Sequence, residues 1–315
     1  MQSDHARGGY TLSNLLSAIR DPGLFVRETE RVLLKRKFGR EFGQGIDVMD
    51  ADWDNLLILD ACRFDYFAEQ NHIDGELDRA VSRGSNSREF IEANFADGRF
   101  HDTVLVTANP FVERLDDDTF FRICYSEVLE EWDGSLNTVP PSAVVETAIE
   151  MHERYPDKRL IAHFMQPHAP YIGPTGRELV ERCEFGVFNP EMERDGIPSD
   201  GIVDVIEDGS VSEEELRRAY VENVEIAIEH AESLVEALDG RSVITADHGE
   251  ALGERGLFRR HYGHGPRLYT PELRVVPWHV VPADERRTVT AGEPESFERL
   301  DGETRDSRLQ ALGYK

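Results

Sequence analysis

Lysine is nearly missing from this 315-residue chain: Lys35, Lys37, Lys158 and Lys315 are all it has, and arginine supplies the remaining positive charge. Three cysteines, Cys62, Cys124 and Cys183, stand far apart and form no C-x-x-C pair. That spacing argues against a disulfide framework or a cysteine zinc site and leaves reduced, structural thiols. No apolar run approaches ~18 residues, so no transmembrane helix is expected. The opening stretch MQSDHARGGYTLSNLLSAIRDPG lacks a basic region followed by an apolar one. No secretory signal is therefore expected, and the expected location is cytoplasmic.

Negative charge is what the chain has in excess. Sixty-two acidic residues face 35 basic ones, a net charge of -27. Such a chain repels itself in dilute buffer. At ~1 M salt, where the Debye length is about 3 Å, that repulsion is largely screened. Excess acid combined with scarce lysine points to a halophilic protein. The same charge argues against nucleic acid as a partner.

Residues 11–20 and 24–38 read as two short amphipathic helices split by Asp21-Pro22-Gly23. Their apolar positions include Leu12, Leu15, Leu16, Ile19, Phe25, Val32 and Leu33, which would pack an N-terminal helical extension (1–45) on the main domain. From residue 54 strands alternate with helices. Strands are predicted at 55–60, 103–108, 159–165, 241–247 and 274–281, and helices at 63–70, 87–96, 142–155 and 212–238. NLLILD at 55–60 is a continuous apolar run, as expected of a strand buried on both faces. The alternation predicts an α/β fold: a doubly wound, mostly parallel sheet flanked by helices, over a catalytic domain at 46–282. The acidic stretch 185–211 reads as a long loop or lid, and 283–315 as a polar, loosely held tail.

Ligands of open α/β sheets bind beyond the carboxyl ends of the strands. Two predicted strands end in aspartate there, Asp60 and Asp247, and His248 comes directly after the second. A carboxylate in that position is costly unless something positive sits on it. Two carboxylates and an adjacent imidazole make a plausible set of divalent-metal ligands; the alternative is that each aspartate caps the helix or turn after it. In SRGSNSREFIEANF, small and hydroxyl residues precede a helix starting near Ser87, whose first amides would form an anion site. A serine held on a divalent cation there would be an activated nucleophile for phosphate or sulfate esters. Asn86 with Glu89 equally makes a capping box, so the residues alone leave both readings open. His168 lies in a Pro-flanked loop after a strand, and His261 and His264 in a Gly-rich loop. Arg63, Arg83, Arg88, Arg259 and Arg260 are candidates to hold a substrate anion.

Taken together, DWDNLLILDACRFDYF, QPHAPY, TADHGEALGERG, YGHG and the closing RLQALGY resemble the sulfatase-like branch of the alkaline phosphatase superfamily, as a haloarchaeal-type hydrolase or transferase. The resemblance covers about residues 51–281 and implies an alkaline phosphatase-like fold. It implies that Asp60 is the first metal-binding acid, that Asp247 and His248 are the later metal pair, and that Ser87, in GSNS, is both metal ligand and nucleophile. His168 and His264 would bind the transferred group or a further metal, or protonate the leaving group. The formylglycine motif C-x-P-S-R is missing, which argues against a formylglycine sulfatase. The expected function is therefore metal-dependent hydrolysis of phosphate esters, including diesters, of a small molecule or of a glycan or lipid headgroup. The alternatives are a phospho-substituent transferase acting on a glycan or lipid headgroup, a sulfuric ester hydrolase, and a non-catalytic scaffold. Mixed oxygen and nitrogen ligands favour zinc or manganese over magnesium or calcium as the cofactor.

Overall fold

The computed structural model describes residues 22–182, 205–297, 299–304 and 307, with two-residue strands at 193–194 and 197–198. The helix expected at 11–20, Cys183, most of the 185–211 stretch and the closing RLQALGY lie outside the described residues. In chain order the principal elements are α1 (Pro22–Phe42), β1 (Asn55–Asp60), α2 (Phe64–Gln70), β2 (Glu76–Val81), α3 (Ser87–Phe95), β3 (Phe100–Thr107) and β4 (Phe120–Cys124). They continue with α4 (Ser126–Glu130), α5 (Pro141–Arg154), β5 (Arg159–Pro167), α6 (Pro174–Arg182), β6 (Glu193–Arg194), β7 (Ile197–Pro198) and α7 (Glu213–Ala237). The last are β8 (Ser242–Thr245), β9 (Ala251–Arg255), β10 (Arg260–Gly263), α8 (Pro271–Arg274) and β11 (Val275–Val281).

Seven strands form the main sheet in the order β2-β11-β8-β1-β5-β3-β4. β1 pairs in parallel with β5 and β8, and β3 with β5 and β4. Only β11 runs against the rest, pairing antiparallel with β2 and β8. Six strands therefore deliver their carboxyl ends to one edge, and the fold is the expected mostly parallel α/β sheet. β1 lies at its centre and is buried at every residue, which is why it is written without a polar face until Asp60.

Helices cover the sheet through apolar stripes. α7 starts at Ser212, whose hydroxyl accepts from Glu215 N while the Glu215 carboxylate accepts from Ser212 N, a complete capping box. It buries Leu216, Tyr220, Val224, Ile228 and Leu234 at helical spacing. α3 packs Phe95 against Phe100 of β3 and Phe120 of β4, with ring centroids 6.4 and 5.3 Å apart.

Two strands of the main sheet were not expected from the sequence. β2 (ELDRAV) is an edge strand with mostly exposed or half-exposed side chains, so it lacks an apolar signature. β4 (FFRIC) occupies the opposite edge, inside a stretch for which the sequence predicts no element. α1 also differs from expectation. It buries Leu34 and Phe42, whereas Phe25 and Leu33 point to solvent.

The polar segment after residue 282 is strapped to the amino-terminal edge of the sheet. Arg287 donates to Lys158 O, Asn55 Oδ1 and Asp239 Oδ1. Arg286 pairs with the buried Asp54, and Phe297 enters the main core. This anchoring lies at the far end of the strands from the candidate site.

Candidate functional site

The predicted site residues come from several elements: Asp60 ends β1, Asp247 and His248 follow β8, His168 follows β5, Ser87 opens α3 and His264 follows β10. Asp60 ends β1 at a register shift against β5, a bulge that turns its side chain out of the ladder. Ala61, next in the chain, is held at φ 62°, a backbone strain that a site can retain when its surroundings enforce it. Its amide donates to Asp247 Oδ1 at 3.0 Å. His248 N donates to the same oxygen at 2.8 Å. Gly249 then passes against the Glu272 backbone, where a Cβ would meet Glu272 O at 2.0 Å.

Ser87 closes the group. Its hydroxyl donates to Asp60 Oδ2 at 3.2 Å and lies 3.2 Å from His248 Nε2. Asn86, not Ser87, caps α3, accepting from Glu89 N at 2.9 Å. The Glu89 carboxylate turns to Ser85 instead, accepting from its hydroxyl at 2.9 Å and its amide at 3.1 Å. The two serines are thereby separated: Ser85 braces the loop, and Ser87 faces the acids.

The electrostatics explain why these side chains tolerate burial together. Asp60, Asp247 and His248 are fully buried. Each carboxylate has one oxygen satisfied by donors and one, Asp60 Oδ1 and Asp247 Oδ2, with no hydrogen-bond partner. His248 Nε2 sits 3.4 and 3.5 Å from these two oxygens. Burial works against its imidazolium, but the charges of Asp247 and then Asp60 outweigh it and push His248 up to about 10. Asp247 moves in the opposite direction: burial would raise its carboxyl, but His248 and His163 hold it well below the ordinary carboxylate range. The cluster asks for a positive charge between its acids.

His163, which the sequence reading missed, lies in the same cluster. It lies mid-strand in β5, its Nε2 is 3.7 Å from Asp247 Oδ2, and that nitrogen has no hydrogen-bond partner. Asp60, His163 and Asp247 each offer a ligand atom within 4.8 Å of the others. A divalent ion fits this donor set on the structure's own terms: two open carboxylate oxygens and an open imidazole nitrogen converge, all buried. His248 also suits a ligand role, because its Nδ1–H donates to Gly249 O at 2.8 Å and leaves Nε2 to face the acids. Asn109, also missed, donates from Nδ2 to Asp60 Oδ2 at 2.8 Å.

The remaining histidines divide. His264 packs between His168 and His248 with its ring tilted against both, centroids 4.8 and 4.5 Å away. Its Nδ1–H donates to Glu250 Oε2 at 2.8 Å. The His168 loop is fixed from α7, where Asn223 accepts from Ile172 N at 2.7 Å and donates to Pro167 O and Pro170 O. Burial lowers the His168 pKa, so its neutral form is favoured. His261 stands apart and faces Glu30 of α1. Each of the five candidate arginines faces a carboxylate. Arg63 pairs with Asp65 and Glu254, Arg83 with Asp47, Arg88 with Glu92, Arg259 with Glu30, and Arg260 with Glu213.

No family model matches the chain, and no curated protein matches it. Solved structures do. The C-terminal periplasmic domain of EcEptC from Escherichia coli, in complex with Zn, is 13% identical over 76% of each chain, with a TM-score of 0.48. The C-terminal periplasmic domain of phosphoethanolamine transferase EptC from Campylobacter jejuni is 12% identical, over 73% of this chain and 78% of that one, with a TM-score of 0.43. The soluble domain of lipooligosaccharide phosphoethanolamine transferase A from Neisseria meningitidis is 10% identical, over 71% and 75%, with a TM-score of 0.41. Among the described residues no helix is long and apolar enough to cross a membrane.

Proposed function

We propose that this protein is a metal-dependent enzyme that cleaves phosphate esters through Ser87. The observation that carries the reading is the Ser87 hydroxyl at 3.2 Å from both Asp60 Oδ2 and His248 Nε2, beside two buried carboxylate oxygens without partners. Asp60, Asp247 and His248, with Ser87, would hold the ion, and His163 is positioned to join them. A bound zinc or manganese ion would lower the hydroxyl pKa and offset charge on the transferred group.

Ser87 attacks phosphorus as its proton passes along the hydrogen bond toward Asp60 Oδ2. The bond from phosphorus to the leaving oxygen breaks, and that oxygen takes a proton from the imidazolium of His264. Glu250 holds Nδ1–H of His264, which fixes the ring's orientation and presents its other nitrogen. The first amides of α3 stabilise the anion. An acceptor hydroxyl then attacks the phosphoseryl phosphorus and passes its proton to His264, the bond from phosphorus to Ser87 Oγ breaks, and Asp60 returns its proton to Ser87. With water as acceptor the protein is a hydrolase. With an alcohol of a glycan or lipid headgroup, the same site performs transfer.

Turnover of bis-p-nitrophenyl phosphate, p-nitrophenyl phosphate and p-nitrophenyl sulfate with added Zn²⁺ or Mn²⁺ tests this, for wild type and Asp247→Asn. Phosphoester cleavage that requires metal and is lost in the variant is the expected result; adding an alcohol reads out the acceptor. Cleavage of the sulfate alone overturns the substrate class. Metal-independent turnover overturns the mechanism.

A further inference from the structure

Among the described residues six large apolar side chains are exposed, and five of them share one region: Phe25, Val26 and Leu33 on α1, and Leu257 and Phe258 at the turn of β9–β10. Packing within the domain does not require them, because α1 already docks through Leu34 and Phe38 against Ala251, Leu268 and Leu273. A helix apolar on more than one side has a second surface to cover. The helix and the turn also form one unit. The Glu30 carboxylate accepts from Leu257 N at 2.7 Å and Phe258 N at 3.0 Å, and it faces His261 and Arg259.

The charge of this region is opposite to that of the chain. Residues 22–42 and 251–267 hold ten basic and four acidic side chains, within a protein of net charge -27. Half of the chain's lysines, Lys35 and Lys37, lie on α1. Among the described residues no carboxylate pairs with Lys35, Arg36, Lys37 or Arg40, all of them exposed.

We propose that α1 and the β9–β10 turn dock on an anionic lipid bilayer. Phe25, Leu257 and Phe258 would enter the headgroup boundary while the neighbouring lysines and arginines neutralise lipid charge. A symmetric pair of these surfaces is disfavoured, since it would set one basic patch against an identical one. Glu250 precedes β9 and His264 comes just after β10, so the same hairpin carries the docking turn and flanks the imidazole cluster. Docking thus sets the candidate site beside lipid headgroups; that consequence rests on the phosphoester reading, whereas the docking does not.

The test is sedimentation of the full chain with phosphatidylglycerol-containing vesicles and with pure phosphatidylcholine vesicles, at ~0.15 M and ~1 M KCl. Wild type should pellet with the anionic vesicles and stay in solution with the neutral ones. Lys35→Glu/Arg36→Glu/Lys37→Glu should reduce the bound fraction by about tenfold or more at low salt. Phe25→Ser/Phe258→Ser should abolish the binding that persists at ~1 M KCl, with the circular dichroism spectrum unchanged. Equal binding to both vesicles, or none by wild type, overturns the proposal. So does a dimer in light scattering that the phenylalanine variant dissolves. Vesicle binding without ester turnover upholds docking and rejects the enzyme reading; turnover without vesicle binding does the reverse.

Discussion

Asn109 Nδ2 donates to Asp60 Oδ2 at 2.8 Å, and this contact decides which carboxylate oxygen stays open. Asp60 Oδ2 is taken by Asn109 and Ser87, so Oδ1 is the oxygen left facing His248. Replacing Asn109 by leucine keeps the branching at Cγ but removes the donor and frees the carboxylate to rotate. Zn²⁺ or Mn²⁺ affinity, measured by titration calorimetry, should fall by about 10- to 100-fold. Thermal stability should drop by about 1–3 kcal/mol, the penalty of leaving a buried oxygen without its donor.

Asn223 has a comparable role at a distance. It satisfies backbone groups of Pro167, Pro170 and Ile172 from the middle of α7. Asn223→Ala should destabilise the fold by about 2–4 kcal/mol, because several buried groups lose a partner together. Urea denaturation should show this as a lower midpoint. Turnover at saturating metal should also fall, as the His168 loop loses its brace.

The pH dependence of α1 originates in Glu30. Burial would raise its carboxyl, but the Phe258 and Leu257 amides and the His261 charge together hold it below the usual value. A group whose folded pKa is depressed contributes stability above its unfolded pKa, ~4.3, and loses it as pH falls through the lower folded value. Docking of α1 should therefore be intact at neutral pH and weaken below about pH 4. Hydrogen exchange over residues 22–42 reads this directly. Glu30→Gln should raise exchange at pH 7 and flatten the pH dependence.

How far the site could be read from sequence depended on where each residue sits in its element. Asp60 and Asp247 were legible because an acid at the end of an apolar strand stands where ligands bind. His163 was not. It interrupts an otherwise apolar strand, and only the pairing of β5 beside β1 brings it to the acids. An ionisable ring inside a doubly buried strand was the available signal. Ser85 stands two residues before Ser87, and the turn of Glu89 toward Ser85 is what separates their roles. Nearness along the chain does not reveal the carboxylates that reach an arginine from another element, as Glu254 does for Arg63. The central strand β1 was readable from its unbroken apolar run, whereas the half-exposed edge strand β2 carried no such pattern.

The central claim is that Ser87 carries the transferred group. Wild type, Ser87→Ala and Ser85→Ala, each loaded with Zn²⁺ or Mn²⁺, would be mixed with a p-nitrophenyl phosphoester, quenched in acid and mapped by peptide mass spectrometry. Phosphorylation confined to Ser87 is predicted in wild type and Ser85→Ala, and turnover should fall by about a thousandfold or more in Ser87→Ala. Ester cleavage that persists in Ser87→Ala, with no phosphoserine in any sample, would contradict the account.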